Sequence, residues 1–198
     1  AIISRVLEDA GYSVGIIAQP DWKFDIDFTK LGKPRLFFGI TAGNIDSMLA
    51  HYTANKKLRH SDAYSPNGQY GLRPNRATII YTNKIKSLYK NEVPVIIGGI
   101  EASLRRFAHY DYWVDKIRKS IIFDSKADLL VYGMAEKSIV QIANFLNQGK
   151  NIKEITSIYG TCFIGSERPE NSILIPSFEE IIKDKKSLVK AQLLIQES

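Results

Sequence analysis

The stretch Pro94-Val-Ile-Ile-Gly-Gly-Ile-Glu-Ala-Ser-Leu-Arg-Arg-Phe-Ala-His-Tyr-Asp-Tyr-Trp113 contains the strongest fold signal in this sequence. A short apolar run, Val93 to Ile97, stops at two glycines and opens into a polar, aromatic segment. A buried strand that ends in this way is typical of an α/β sheet, which presents ligand sites at the carboxyl ends of its strands. The pattern therefore predicts a strand over 93–97 with a site beyond it. The open alternative is a Gly-Gly turn followed by a surface helix whose arginines are solvated.

Strand and helix patterns alternate on both sides of this stretch. Apolar runs predict four more strands, and a period of about 3.6 residues predicts helices between them. Alternation of this kind favours a doubly wound, mostly parallel, Rossmann-like α/β sheet of about five strands. The strand candidates are 13–18, 35–40, 127–132 and 156–164, and the main helix candidates are 2–10, 77–89, 135–146 and 178–196. Because helix 2–10 comes before any strand, we expect that a first strand is missing from this chain.

Composition limits the classes of protein to which the chain can belong. Its 198 residues suit one domain, and no apolar run reaches the ~20 residues of a membrane helix. The single cysteine, Cys162, excludes an internal disulfide and fits a reducing cytoplasm. It also excludes a cysteine-ligated zinc or iron–sulfur site built from this chain alone. The net charge of +6 is compatible with nucleic acid or an anionic ligand and decides neither.

Small or polar clusters follow four of the predicted strands, at 19–22, 41–44, 98–101 and 133–136. In a parallel sheet these strand ends share one edge, so we expect the clusters to border one crevice. Neither a GxGxxG fingerprint nor a GxxxxGK[ST] loop occurs, so no nucleotide-binding class is specifically indicated. The predicted substrate- or cofactor-binding residues are Thr41, Asn44, Gly98, Gly99, Glu101, Ser103, Arg105, Arg106, His109, Tyr110 and Glu136.

For several residues of this set, the sequence leaves two interpretations of their role open. Arg105 and Arg106, beside aromatic residues, suit bidentate binding of a phosphate or carboxylate, or else form a solvated basic face. Glu136 would accept a ligand hydroxyl, or would merely interact with the dipole of the helix that it begins. His109 and Asp111 are two residues apart, whereas a helical metal pair needs four, so no metal ligand is predicted in this chain.

Nearly the whole sequence resembles the N-terminal domain of the YgiQ-like radical SAM proteins, of UPF0313 type. The segment from Gly98 to Trp113 carries the resemblance most clearly. Further matching segments follow in the same order along the chain: Gly15-Ile-Ile-Ala-Gln-Pro-Asp-Trp22, Leu31-Gly-Lys-Pro34, Leu36-Phe-Phe-Gly-Ile-Thr-Ala-Gly-Asn44, Asp46-Ser-Met48, Leu58-Arg-His60, Arg73-Pro74, Asp124-Ser-Lys-Ala-Asp128 and Leu174-Ile-Pro-Ser-Phe178.

The resemblance implies a metal-binding, iron–sulfur radical SAM enzyme of an uncharacterised family. Its downstream barrel would bind a [4Fe–4S] cluster through CxxxCxxC and cleave S-adenosyl-L-methionine, but this trio is absent here. Residues 1–165 would form a cobalamin-binding-like α/β domain, and 166–198 a linker and helix leading to the barrel. Cobalamin itself has weak support, because the Asp-x-His-x-x-Gly motif of many B12 domains is missing.

The leading hypothesis is therefore an accessory domain that presents or shields substrate above its own C-terminal barrel and is not catalytic alone. The substrate is unknown, and an anionic one would suit the arginines. The competing hypotheses are a self-sufficient α/β module that binds a small anion, and an RNA-contacting domain of a modification enzyme. No membrane partner is expected, and nucleic acid is the least favoured partner.

Overall fold

The computed structural model describes residues 2–197. Ala1 and Ser198, the outer ends of the two predicted domain ranges, lie outside the described residues. Within 2–197 the helices are α1 (Ile2–Asp9), α2 (Ile26–Thr29), α3 (Ser47–His51), α4 (Ala77–Tyr89), α5 (Gly99–Leu104), α6 (Ile121–Ser125), α7 (Glu136–Asn147), α8 (Phe178–Lys183) and α9 (Lys186–Glu197). The strands are β1 (Phe38–Ile40), β2 (Val95–Ile97), β3 (His109–Asp111), β4 (Lys116–Arg118), β5 (Leu129–Val131) and β6 (Thr161–Cys162).

The main sheet has the strand order β1-β2-β5-β6. The first three strands are parallel, and β6 pairs with β5 in the antiparallel direction. Strands β3 and β4 form a separate antiparallel hairpin that follows α5. Because β2 lies between β1 and β5, Gly98 and Gly99 stand at the carboxyl end of an interior strand, as the sequence predicted.

Helices cover both faces of the main sheet, which confirms the predicted α/β architecture. On one face, side chains of α1 and α7 pack with Ile96, Leu129 and Val131. On the other face, side chains of α4, α5 and α6 pack with Val95, Ile97 and Leu130. Successive residues of a strand point to opposite faces, so a central strand covered on both sides must be apolar throughout.

Two details of the predicted elements are wrong. Residues 13–18 form no strand, so the main sheet has four strands where about five were expected. The predicted helix 178–196 is two helices, because Asp184 adopts an extended conformation between α8 and α9. Helix α8 packs against the β3–β4 hairpin, and its Ile181 is 1% exposed.

A buried ion pair organises the long irregular segment between α3 and α4. The Nε and Nη2 atoms of Arg73 donate to Asp62 at 2.9 and 2.7 Å, and both side chains are almost fully buried. Burial alone would raise the pKa of Asp62, but Arg73, with hydrogen bonds from Tyr64 and Ser65, holds that pKa below 3.8. The pair fixes this segment against the sheet edge, since Arg73 also donates to the Ala42 carbonyl at 3.4 Å.

Candidate functional site

Glu101 connects three helices beneath the predicted site. It lies in the first turn of α5 and is 1% exposed. Its Oε2 accepts hydrogen bonds from the backbone N–H and the hydroxyl of Ser47 at 2.9 and 2.6 Å, and its Oε1 accepts one from the Thr78 N–H at 2.9 Å. These N–H groups belong to the first turns of α3 and α4, which lack partners within their own helices. The carboxylate therefore fixes both helix starts to α5 and does not face solvent.

Arg105 has an acidic partner within the chain. Asp46 caps α3, and its Oδ1 accepts from the N–H groups of Met48 and Leu49 at 2.9 and 3.3 Å. Its Oδ2 accepts from Nη1 of Arg105, which also donates to the Glu101 carbonyl at 3.2 Å. An arginine neutralised by a buried aspartate offers less attraction to an external anion than the sequence suggested.

The β3–β4 hairpin places a second arginine–aspartate pair beside the first. Asp111 is 5% exposed and accepts from Nη2 of Arg76 at 2.7 Å and from the Trp113 N–H at 3.0 Å. Burial alone would raise the pKa of Asp111, but the bond and charge of Arg76 hold it below 3.8. Residue 111 is therefore a charged anchor for the hairpin.

His109 lies between these two pairs as a neutral imidazole. Burial is the main cause that lowers the pKa of His109 below 6.5, and it outweighs the opposing bond to the Phe107 carbonyl. Its Nδ1 lies 3.1 Å from that carbonyl oxygen, which can only accept a hydrogen bond. Nδ1 therefore carries the proton, and Nε2 presents a lone pair that can accept a hydrogen bond or a proton.

A cavity of about 260 Å³ opens where α3, α5 and the hairpin meet. These elements follow β1 and β2, so the cavity lies beyond the carboxyl ends of two parallel strands. Its lining is mainly apolar and aromatic with a charged base, and consists of Asp46, Leu49, Leu104, Arg105, His109, Tyr110, Asp111, Tyr112 and Trp113. A much smaller space of about 10 Å³ borders the same histidine, the Arg76–Asp111 pair and Arg105, and it has room for about one water molecule.

The predicted site residues fall into three groups. Arg105, His109 and Tyr110 line the cavity, with Glu101 buried behind them. Thr41 and Gly99 meet at the strand ends, where a Cβ added to Gly99 would lie 2.3 Å from the Thr41 hydroxyl oxygen. The remaining predicted residues do not line the cavity: Asn44, Gly98, Ser103, Arg106 and Glu136.

Arg106 belongs to a separate cluster towards β5 and β6. Its guanidinium carbon lies 4.8 Å from the centroid of the Tyr132 ring, and its Nη1 donates to the Ser103 carbonyl at 2.8 Å. Burial raises the pKa of the neighbouring Cys162 thiol to about 11 despite the charge of Arg106. The two consecutive arginines therefore do not act on one ligand.

Several cavity residues were not among the predicted binding residues. The rest of the lining consists of Asp46, Leu49, Leu104, Asp111, Tyr112 and Trp113. The Asp46-Ser47 pair before a short apolar run is a helix N-cap signal that predicts the start of α3, but nothing in it indicates Arg105 as a partner. Tyr112 and Trp113 stood in the quoted stretch, and only the hairpin brings them over the strand ends.

The described residues do not fit an iron–sulfur cluster. Cys162 is the chain's single cysteine, and its thiol is half-buried with a raised pKa. Within 2–197 no group of three or more His, Cys, Asp or Glu side chains is arranged to hold a metal ion. The same range contains no helix with the length and hydropathy to cross a bilayer.

Comparison with known proteins gives relatives of much greater length. A UPF0313 protein of Clostridium perfringens (strain 13) is 62% identical over 190 residues, which are 94% of this chain and 28% of that protein. A UPF0313 protein of Thermotoga neapolitana is 54% identical over 191 residues, 96% of this chain and 34% of its own length. This chain thus spans about three-tenths of the curated relatives that it matches.

No solved structure matches the chain. The family model described as Radical SAM N-terminal matches residues 1–198. Because that match covers the whole sequence, this chain belongs to the Radical SAM N-terminal family.

Proposed function

We propose that this chain is the accessory domain of a cytoplasmic radical SAM enzyme and that it presents or shields a substrate above a downstream barrel. The observation that carries this proposal is the cavity beyond β1 and β2, where α/β sheets bind their ligands. The greater length of the relatives supports a further region against which the domain can act.

The [4Fe–4S] cluster and S-adenosylmethionine would be held by that further region, since the described residues do not fit a cluster. When bound there, the two cofactors supply the radical chemistry of the enzyme. The residues of this chain would bind and orient the substrate and exclude water from it. Cobalamin is not part of this proposal, because the sequence lacks the Asp-x-His-x-x-Gly motif of many B12 domains.

Exposed apolar side chains around the same sheet edge support contact with the barrel. Ile100 and Leu104 of α5 are 48% and 61% exposed, and Met134, which follows β5, is 89% exposed. Large apolar residues that cluster beside a ligand cavity favour a covered surface over free solvent. We assign the covering surface to the protein's own barrel.

The arginine contacts argue against the module that would bind a small anion by itself. Arg105 pairs with Asp46, and Arg106 lies over the Tyr132 ring. The Arg105 guanidinium is therefore already paired with a carboxylate, and Arg106 points to a different part of the domain, so the two do not form the shared bidentate anion site that the competing hypothesis requires.

Hydrogen–deuterium exchange on the full-length protein tests this function. Residues 98–105 and 133–136 should exchange more slowly in the full-length protein than in the 198-residue chain, because the barrel covers them. The region around Ile26, an exposed apolar residue on α2, serves as the control and should exchange equally in both. Equal exchange at the sheet edge would rule out docking there.

A substitution at the sheet edge tests the same contact with the barrel. Leu104→Asp should leave the cluster content of the full-length protein unchanged, measured by visible absorption after anaerobic reconstitution. It should restore fast exchange at 133–136, since a carboxylate opposes burial of this surface. Unchanged protection in Leu104→Asp would contradict the assigned contact.

A further inference from the structure

We propose that the cavity takes the heterocyclic base of a nucleotide and that the nucleotide's phosphate lies at two cationic side chains on the rim, Lys56 and Arg59. This inference rests on the proposed function, because the nucleotide would be the substrate, or the part of it that this domain holds.

The cavity walls suit a flat ring. Tyr112 is 47% exposed, and the centroid of its ring lies 5.5 Å from that of Trp113, the other aromatic wall. Trp113 is supported from outside the lining by the Tyr52 ring at 5.2 Å. Exposed Leu49 and Leu104 add apolar lining. Bases stack on aromatic side chains with little dependence on sequence, because every base has a π face. The volume of about 260 Å³ is slightly below the usual range of small-molecule sites and has room for a base.

The charged side chains on the floor of the cavity favour an uncharged ligand group there. Arg105 is neutralised by Asp46, and Asp111 by Arg76, so no lining charge awaits an external partner. The lone pair on Nε2 of His109 remains as an acceptor for a ring N–H or an exocyclic amine. Every base carries such N–H donors on its edges, whereas a phenyl ring carries none.

The rim carries positive charge that the protein itself does not neutralise. Lys56 Nζ lies 4.6 Å from the centroid of the Tyr112 ring, and the Tyr112 hydroxyl donates to the Ala54 carbonyl at 2.7 Å, which holds this loop beside the hairpin. Arg59 Nε donates to the carbonyls of Leu49 and Tyr52 at 3.0 and 3.2 Å. Among residues 2–197 neither cation forms an ion pair with a carboxylate.

The aromatic walls inside the cavity and the unpaired cations on its rim together match a nucleobase joined to a phosphate. An aromatic peptide side chain would use the walls but would leave both cations without a role. A free anion would use the cations but not the walls. A nucleotide uses both.

Isothermal titration calorimetry on the full-length protein tests this ligand class with adenosine and uridine monophosphates, their nucleosides and inorganic phosphate. We expect the monophosphates to bind and phosphate alone to bind at least about tenfold more weakly. Tyr112→Ala should weaken binding of the monophosphates about tenfold by removing one stacking surface. Lys56→Ala should weaken binding of the monophosphates and leave the nucleosides unaffected.

Tyr159→Ala is the matched control, because Tyr159 is a 93% exposed aromatic residue that does not line the cavity. Its binding should equal that of the unsubstituted protein. Binding of the monophosphates that persists unchanged in Tyr112→Ala occurs elsewhere in the protein and would overturn the assignment, as would the absence of any binding.

A single-stranded RNA tetramer distinguishes the two sources of such a nucleotide. Affinity well above that of the monophosphates, with a steep loss at higher salt, identifies a nucleotide within RNA. Equal affinity identifies the free mononucleotide. If nucleotides fail to bind while the sheet edge is still protected in the full-length protein, the ligand class is wrong and the proposed function stands.

Discussion

Removing the Glu101 carboxylate should destabilise the domain more than most single substitutions. The side chain is 1% exposed and accepts three hydrogen bonds from two residues at the starts of α3 and α4. Glu101→Ala leaves two helix N–H groups in the interior without a partner and removes the acceptor of the Ser47 hydroxyl, whose oxygen still accepts from the Ala77 N–H. The substitution also leaves a void, because the neighbouring backbone cannot collapse fully onto the shorter side chain.

The magnitude follows from the number of contacts and from their overlap. Each hydrogen bond to a charged acceptor contributes about 1.5–3 kcal/mol to stability, net of the exchange with water. Two of the three bonds come from the same residue, Ser47, so the contributions do not add fully. We expect a net loss of about 3–5 kcal/mol for Glu101→Ala. Glu101→Gln keeps an oxygen for Ser47 but turns an N–H towards that of Thr78, so about 2 kcal/mol should be lost.

Urea unfolding of the 198-residue chain, followed by circular dichroism, measures both losses. The midpoint should fall while the slope stays constant, because the surface exposed on unfolding is nearly unchanged. Glu179→Ala, at a side chain that is 68% exposed, is the control and should change stability by less than about 0.5 kcal/mol. A loss below about 1 kcal/mol for Glu101→Ala would refute the view that this carboxylate holds the three helices together.

Three further predictions concern backbone, charge and thiol. Gly99→Ala should lower the free energy of unfolding by about 3 kcal/mol, measured by thermal unfolding, because φ is +79° and the new Cβ would collide with the Thr41 side chain. The control Gly11→Ala, with φ +86° and open space around the Cβ, should lower it by only about 1 kcal/mol. Equal losses in the two variants would contradict the proposed collision. Because the folded pKa of Asp62 is depressed, its contribution to stability is present above pH 3.8 and is lost as the pH falls through the folded pKa. Asp62→Asn leaves Arg73 buried and unpaired, so the free energy of unfolding should be lower at pH 7 and should fall less on acidification than in the unsubstituted chain. Parallel curves of stability against pH for the two proteins would count against the ion pair. Alkylation of Cys162 by iodoacetamide at pH 8 should be about a hundredfold slower in the native chain than in urea, since burial raises its pKa from 9.0 to about 11; comparable rates would show an accessible thiolate.

Local pattern was enough for the elements that form the main layers. The helix predicted over 77–89 is α4, and the apolar run ending at Gly98 is the central strand β2. The helix follows from its period of about 3.6 residues and the strand from its continuous apolar run, and each pattern lies within one short segment of the chain. The run over 13–18 is also short and mostly apolar but pairs with no strand. Strand pairing depends on a partner that is distant in sequence, and a local pattern contains no information about that partner.

The cavity depended on contacts between residues far apart in sequence. Sequence pattern brought Arg105 and His109 into the candidate set, but it indicated neither the acidic partner of Arg105 nor the hairpin that carries the histidine. Asp46 reaches Arg105 across 59 positions, and Glu101 reaches Ser47 across 54. The sequence by itself determined which side chains stand beyond the strand ends. Only the tertiary structure decided which of their charges are cancelled, because the energy of a buried charge depends on its neighbours in space and not on its neighbours in the chain.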